Sequence, residues 1–307
     1  MSRSRRLSLS WPLVLVVLSW GFNFVSLKLL YREIDPPAVA LLRFLTMWAL
    51  LLPLCLSRGL SLRYRREDVL RVLVAGFLSM GLYMFLFLEG LHKTSAAEGA
   101  IILATSPVWT YLMAAALKQE TFRLKGFVGS CVAFLGVAVV IAGGAASDGS
   151  TLKGNLELLA SAILWAFCVV YMKPLLKHYE ATQLLTLSMP GGALLMVPYG
   201  IGSVMHLHFG AISLVGWLMF LQVAVLSGLV GFACFYVGIK QIGPSRTTLY
   251  QYFVPPTAVF FAWSILGKTL SPFQFLGFAV LLYGVVTTSR ARISAEASSD
   301  LDREAAG

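Results

Sequence analysis

Residues 11–30 read WPLVLVVLSWGFNFVSLKLL, with no charged side chain before Lys28. Twenty helical residues extend about 30 Å, the thickness of a bilayer's hydrocarbon core, so the stretch is long and apolar enough to span a membrane. It follows the basic run Arg3, Arg5 and Arg6, which resembles the start of a secretory signal. It has no small-residue cleavage site and continues through Trp20, Phe22 and Phe24, so it reads as an uncleaved first span. Nine further apolar segments follow, at 37–57, 70–91, 96–117, 124–144, 154–174, 182–202, 214–239, 246–266 and 271–289.

Composition agrees with this reading. The 307 residues are 58% hydrophobic and 12% charged, with a mean hydropathy of +0.80. Soluble domains are about 25% charged, so a soluble enzyme, a disordered chain and a disulfide scaffold are all excluded. Short loops and a polar tail at 291–307 use up what the spans leave, so one polytopic membrane domain is expected. The net charge of +10 does not indicate nucleic acid, because the basic residues lie between apolar runs rather than in a tract. Cys55, Cys131, Cys168 and Cys234 fall in four different segments without CxxC spacing, and read as small buried residues.

The direction of threading follows from Lys and Arg. With an inner amino terminus, 18 of the 24 fall on the inner side, 5 on the outer side, and Arg43 lies within a span. This bias predicts cytoplasmic termini and an even number of spans. The chain also repeats. A shift of 148 residues pairs Phe87 with Phe235, Gly90 with Gly238, Pro107 with Pro255, Gly129 with Gly277 and Gly136 with Gly284. A shift of 145 pairs Trp20 with Trp165, Phe22 with Phe167 and Lys28 with Lys173. Matched Trp, Lys, Pro and Gly at a constant offset are hard to obtain by chance. Five spans per half is an odd number, so the second copy enters the bilayer inverted. The expected fold is an all-α integral membrane protein of ten transmembrane helices, as two inverted five-helix repeats over 11–144 and 154–289.

The sequence resembles EamA-type members of the drug/metabolite transporter superfamily over nearly its whole length. The residues that carry the resemblance are Trp20-Gly21-Phe22-Asn23-Phe24, Pro37, Arg43-Phe44, Gly90-Leu91, Thr94-Ser95-Ala96, Pro107 and Gln119-Glu120 in the first half. In the second half they are Gly154-Asn155, Trp165-Ala166, Gly238 to Gly243, Pro255, and Gly277 to Gly284. The resemblance implies ten helices and export or exchange of small metabolites, often amino acids, in the cell inner (plasma) membrane. The chain departs from the pattern where Lys268 is the counterpart of Glu120, which weakens a charge-pair role at the second position.

Several residues stand out as substrate contacts. Pro107 and Pro255 sit mid-span, where proline frees a carbonyl and membrane helices either line a cavity or simply kink. On a continuous helix, Thr247, Thr248, Gln251, Tyr252 and Pro255 share one face, and such a polar, aromatic stripe should face helices or water rather than lipid. The equivalent face of the fourth span carries small residues, then Pro107 and Tyr111. Trp20 and Trp165 lie mid-span, away from the interface that lipid-facing Trp prefers, and Asn23 and Phe24 share the face of Trp20. Tyr83 is nearer mid-span than Tyr236. Close packing accounts for the same residues. It also accounts for the glycines of the fifth and tenth spans, Gly126, Gly129, Gly136, Gly277 and Gly284.

Arg43 is the basic residue well inside a span, and either binds a substrate carboxylate or pairs permanently with an acid such as Glu89. Glu89 and Glu98 are the acids nearest the pathway. They read as exposed rim carboxylates or as carriers of a coupling proton, with a counter-solute as the other source of drive. His206 and His208 lack further ligands nearby for a metal. There is no GxxxxGK[ST] motif and no HExxH, and all five aspartates lie outside the spans. No catalytic group, metal or cofactor is therefore expected. The function expected is secondary transport of a small metabolite by alternating access around a midplane site. A membrane-embedded enzyme or a channel-like protein is the alternative.

Overall fold

The computed structural model describes residues 11–117, 124–144, 150–242, 247–248, 250–267 and 271–305. Glu120, Gly243 and Lys268 lie outside them. Every regular element among the described residues is helical. The long helices are α1 (Trp11–Leu30), α2 (Pro36–Ser57), α3 (Val69–His92), α7 (Leu152–Leu175), α8 (Ala181–Met205) and α9 (Leu214–Ile242), each long and apolar enough to cross a bilayer. Shorter ones are α4 (Ala96–Leu103), α5 (Ser106–Ala116), α6 (Leu124–Gly144) and α10 (Val254–Leu266). The last, α11 (Pro272–Ala305), continues as helix into the polar tail. Leu56, Leu135, Phe260, Trp263 and Phe273 are all more than half exposed on the outside of the bundle. That surface suits lipid rather than water, and the chain is a multi-pass membrane protein.

The helix ends follow local chemistry. The Ser95 hydroxyl accepts from the Glu98 N–H at the start of α4 (3.2 Å). Thr151 does the same for Gly154 at the start of α7, and Ser213 for Gly216 at the start of α9; each satisfies an orphan donor. Glu33, before α2, accepts from both the N–H and the hydroxyl of Ser213 at 2.7 Å, tying the α1–α2 turn to α9. Those hydrogen bonds hold its carboxyl below the usual carboxylate range. Gly267, at φ +64°, closes α10 in the left-handed conformation that glycine adopts without strain.

Two pairs of irregularities interrupt the rods. α3 widens into a π-turn at Phe77–Leu82, and α9 does so at Gln222–Val230; these begin 145 residues apart. The second pair is a true break. α4 ends at Leu103 and α5 starts at Ser106, with Pro107 in its first turn. Proline has no N–H for the Leu103 carbonyl, and the Ser106 hydroxyl takes that carbonyl instead at 2.6 Å. In the second half a 3₁₀ turn, Tyr250–Phe253, leads into α10, with Pro255 in its first turn. The prolines therefore start half-helices rather than kink continuous ones, and the expected single face from Thr247 to Pro255 does not form.

Glycine sets the closest approaches. A Cβ at Gly76 of α3 would lie 1.7 Å from the Ser188 carbonyl oxygen of α8, and one at Gly191 of α8 would lie 2.0 Å from that of Leu73. On α6 and α11, Cβ atoms at Gly136 and Gly284 would come within 2.4 Å of the Leu281 and Ala133 amides, and Gly129 meets the Gly284 carbonyl. Both pairs of helices pack backbone to backbone, and for α6 and α11 the glycine pattern predicted it. Gly126 instead makes room for Tyr111, whose hydroxyl oxygen would stand 2.5 Å from a Cβ there. Of the cysteines, Cys55 and Cys168 are buried, Cys234 is half-buried and Cys131 is exposed. The expectation of four buried thiols fails at Cys131.

Candidate substrate cavity

A cavity lies between the two broken segments. Trp20, Asn23 and Phe24 of α1, Arg43 of α2, and Tyr83, Met84 and Phe87 of α3 form one side. Ala100, Leu103, Ala104 and Ser106 at the first break contribute, as do Trp165 of α7, Ser227 and Phe232 of α9, and Gln251 and Val254 at the second break. Both interruptions therefore contribute positions to the wall.

The aromatic wall is built on Trp20 and Trp165. Their rings meet edge to face at 5.9 Å, and Phe235 lies 5.1 Å from one and 5.3 Å from the other. Tyr83 sits 5.0 Å from Trp165, and Phe232 lies 5.6 and 5.5 Å from the two indoles. Each such pair contributes roughly 0.5–1.5 kcal/mol beyond burial. The Trp20 indole is fixed by donating from Nε1 to the Ser227 carbonyl (3.0 Å), in the π-turn of α9. Gly231 clears the space, since a Cβ there would lie 2.5 Å from that nitrogen.

The polar part of the wall is sparse. Arg43 is 3% exposed, donates from a terminal nitrogen to the Met84 sulfur at 3.3 Å, and leaves Nε without a partner. Asn23 Oδ1, Gln251 Oε1 and Trp165 Nε1 are also buried without partners among the described residues. The expected Arg43–Glu89 pair does not form. Glu89 is held by Lys93 (2.7 Å) and by the Tyr199 hydroxyl. Lys93, in the turn after α3, also reaches Glu157 of α7 at 2.9 Å. Burial lowers the Lys93 pKa, but its bonds to the two carboxylates more than reverse this, so it rises above the usual value.

Glu98 is not on the rim. It is fully buried, accepts from Asn155 Nδ2 at 2.7 Å, and Asn155 Oδ1 in turn accepts from the Thr94 hydroxyl at 2.7 Å.

Seven of the residues singled out in the sequence are thus brought together: Trp20, Asn23, Phe24, Arg43, Tyr83, Trp165 and Gln251. Pro107 and Pro255 shape the breaks without lining the cavity, and Thr248 is buried elsewhere. Tyr111 faces α6, and half-buried Tyr252 is not a wall residue. Sequence reasoning missed Met84, Phe87, Ser106, Ser227 and Phe232. Phe87 was signalled by its match with Phe235 at the 148-residue shift. Ser227 lines the site through a π-turn, which leaves no mark in the sequence.

A helical bundle of this kind, enclosing a cavity with an aromatic wall and few polar groups, has the form of a membrane solute transporter. Comparison with known proteins agrees. The chain belongs to the EamA-like transporter family, whose model matches residues 10–142 and again 152–290. A probable terminal-alkyne amino-acid exporter of Streptantibioticus cattleyicolor is 25% identical, covering 91% of this chain and 93% of that protein. A probable amino-acid metabolite efflux pump of Salmonella typhimurium is 23% identical, covering 89% and 91%. An uncharacterized inner membrane transporter of Escherichia coli, YedA, is 25% identical over 87% and 86%. A solved protein structure shares the fold, with a TM-score of 0.65 at 18% identity over 93% of this chain and 96% of its own.

Proposed function

We propose that the protein is a secondary transporter that exports or exchanges a small metabolite, such as an amino acid, across the cell inner membrane. In this reading ten spans form two inverted five-helix repeats with both termini in the cytoplasm. The halves rock about the cavity and open it to one side at a time. Glu98 or Glu89 carries the coupling proton, or a counter-solute drives the cycle.

One observation supports the reading most. Positions matched by the repeat line the cavity together: Trp20 with Trp165 at the 145-residue shift, and Met84 with Phe232, Leu103 with Gln251 and Ser106 with Val254 at the 148-residue shift. A site made of equivalent positions from two copies is what two inverted repeats would enclose at their interface. The relatives named as exporters of amino acids or their metabolites support the substrate class.

Counterflow in proteoliposomes tests it, using labelled amino acids, sugars and nucleosides at two pH gradients. The expected result is saturable exchange of one class. Flux that does not saturate, or none with any class, would sink the proposal.

A further inference from the structure

The repeat reproduces part of the aromatic and apolar wall, Trp20 with Trp165 and Met84 with Phe232, but not its polar groups. The 145-residue counterpart of Arg43 is Ser188, and that of Asn23 is Cys168; the 148-residue counterpart of Gln251 is Leu103. A cavity whose wall is partly matched between the halves thus carries a polar arrangement confined to single positions, which orients whatever enters. Arg43 is the decisive member. A guanidinium with five donors, almost wholly buried and hydrogen-bonded among the described residues to a thioether, with Nε unpartnered, is an incompletely compensated charge. No carboxylate among the described residues lies within ion-pair distance of Arg43: Glu89 and Glu157 both contact Lys93, and Glu98 accepts from Asn155.

We propose that the cargo carries a carboxylate that docks on Arg43, and beside it an N–H or O–H group that donates to the open oxygens of Asn23 and Gln251. Its aromatic or branched apolar body lies against Trp20, Tyr83 and Trp165. The inference rests on the transporter reading only for the steps after binding. It selects carboxylates over cations, because an organic cation would bring a second positive charge beside Arg43 with no wall carboxylate to hold it. Planar, two-pronged recognition of a carboxylate is what guanidinium does better than ammonium.

The test uses purified protein in nanodiscs and the fluorescence of its own tryptophans. Three ligands share one body: phenyllactate, phenylalanine and phenylalaninamide. The first two should bind at least about tenfold more tightly than the amide. Arg43→Gln should shrink that preference to within about threefold, and Arg43→Lys should keep part of it. The ligand comparison in the unmutated protein stands even if the variants fold poorly. Equal binding of all three, binding of none, or an undiminished preference in a folded Arg43→Gln protein would overturn the inference. Carboxylate-selective binding without counterflow of any solute would defeat the transport reading alone. Counterflow of a sugar or cation without carboxylate preference would defeat only this one.

Discussion

Gln251 and Tyr252 are neighbours in sequence with different fates. Gln251 ends with its side chain in the cavity wall and Tyr252 does not, because the 3₁₀ turn before Pro255 changes the angle between successive side chains. Gln251→Ala should therefore cut counterflow about tenfold, a loss of the size expected for one buried polar contact. Tyr252→Ala should stay within about twofold, with the amount of folded protein unchanged in both. The reverse order would mean that the break does not place these side chains as described. Glu98 gives a second test at this scale. Glu98→Gln preserves the bond from Asn155 in shape but removes the ionisable group. If Glu98 carries the proton, exchange should persist while its response to a pH gradient disappears; a retained response assigns the proton elsewhere.

At the scale of elements, the α3–α8 contact depends on hydrogen atoms where every other residue has a carbon. Gly76→Ala places a methyl 1.7 Å from the Ser188 carbonyl, an atom that cannot swing away as a side-chain tip would. The helices must separate, at a cost of about 3 kcal/mol or more. Gly202→Ala, in the same helix as Ser188 but with nothing within 4 Å of its added Cβ, should be close to neutral. Thermal unfolding of the two variants in one detergent checks this, and equal midpoints would refute it. The α6–α11 contact was legible in the sequence, because only glycine permits such an approach and Gly129 and Gly136 recur as Gly277 and Gly284; the α3–α8 glycines, without such a match, were not singled out. The π-turns were not legible. FLSMGL and QVAVLSGLV read along the chain as continuations of their apolar spans.

For the whole molecule the prediction concerns the direction of threading. Single cysteines at Arg66, before α3, and at Gly210, between α8 and α9, both exposed, should be labelled from opposite faces by a membrane-impermeant maleimide, with Cys131 replaced beforehand. Arg66→Cys should react only from the inside and Gly210→Cys only from the outside. Reaction of both from one face would contradict the inverted arrangement.

The sequence by itself determined that the chain is a helical membrane protein, where its apolar segments lie and which residues recur between its halves. Hydropathy, proline and glycine act locally, so their signals survive in one dimension. It also singled out Trp20, Trp165 and Arg43, because bulk and charge within an apolar run are conspicuous along the chain. Only the tertiary structure decided what those residues meet: that Arg43 faces a cavity and not Glu89, that Glu98 is buried against Asn155, and that Tyr111 turns towards α6. Partners of buried polar groups come from helices a hundred or more residues away in several cases. Their identity depends on helix rotation and on the breaks at the two prolines, which no periodicity encodes.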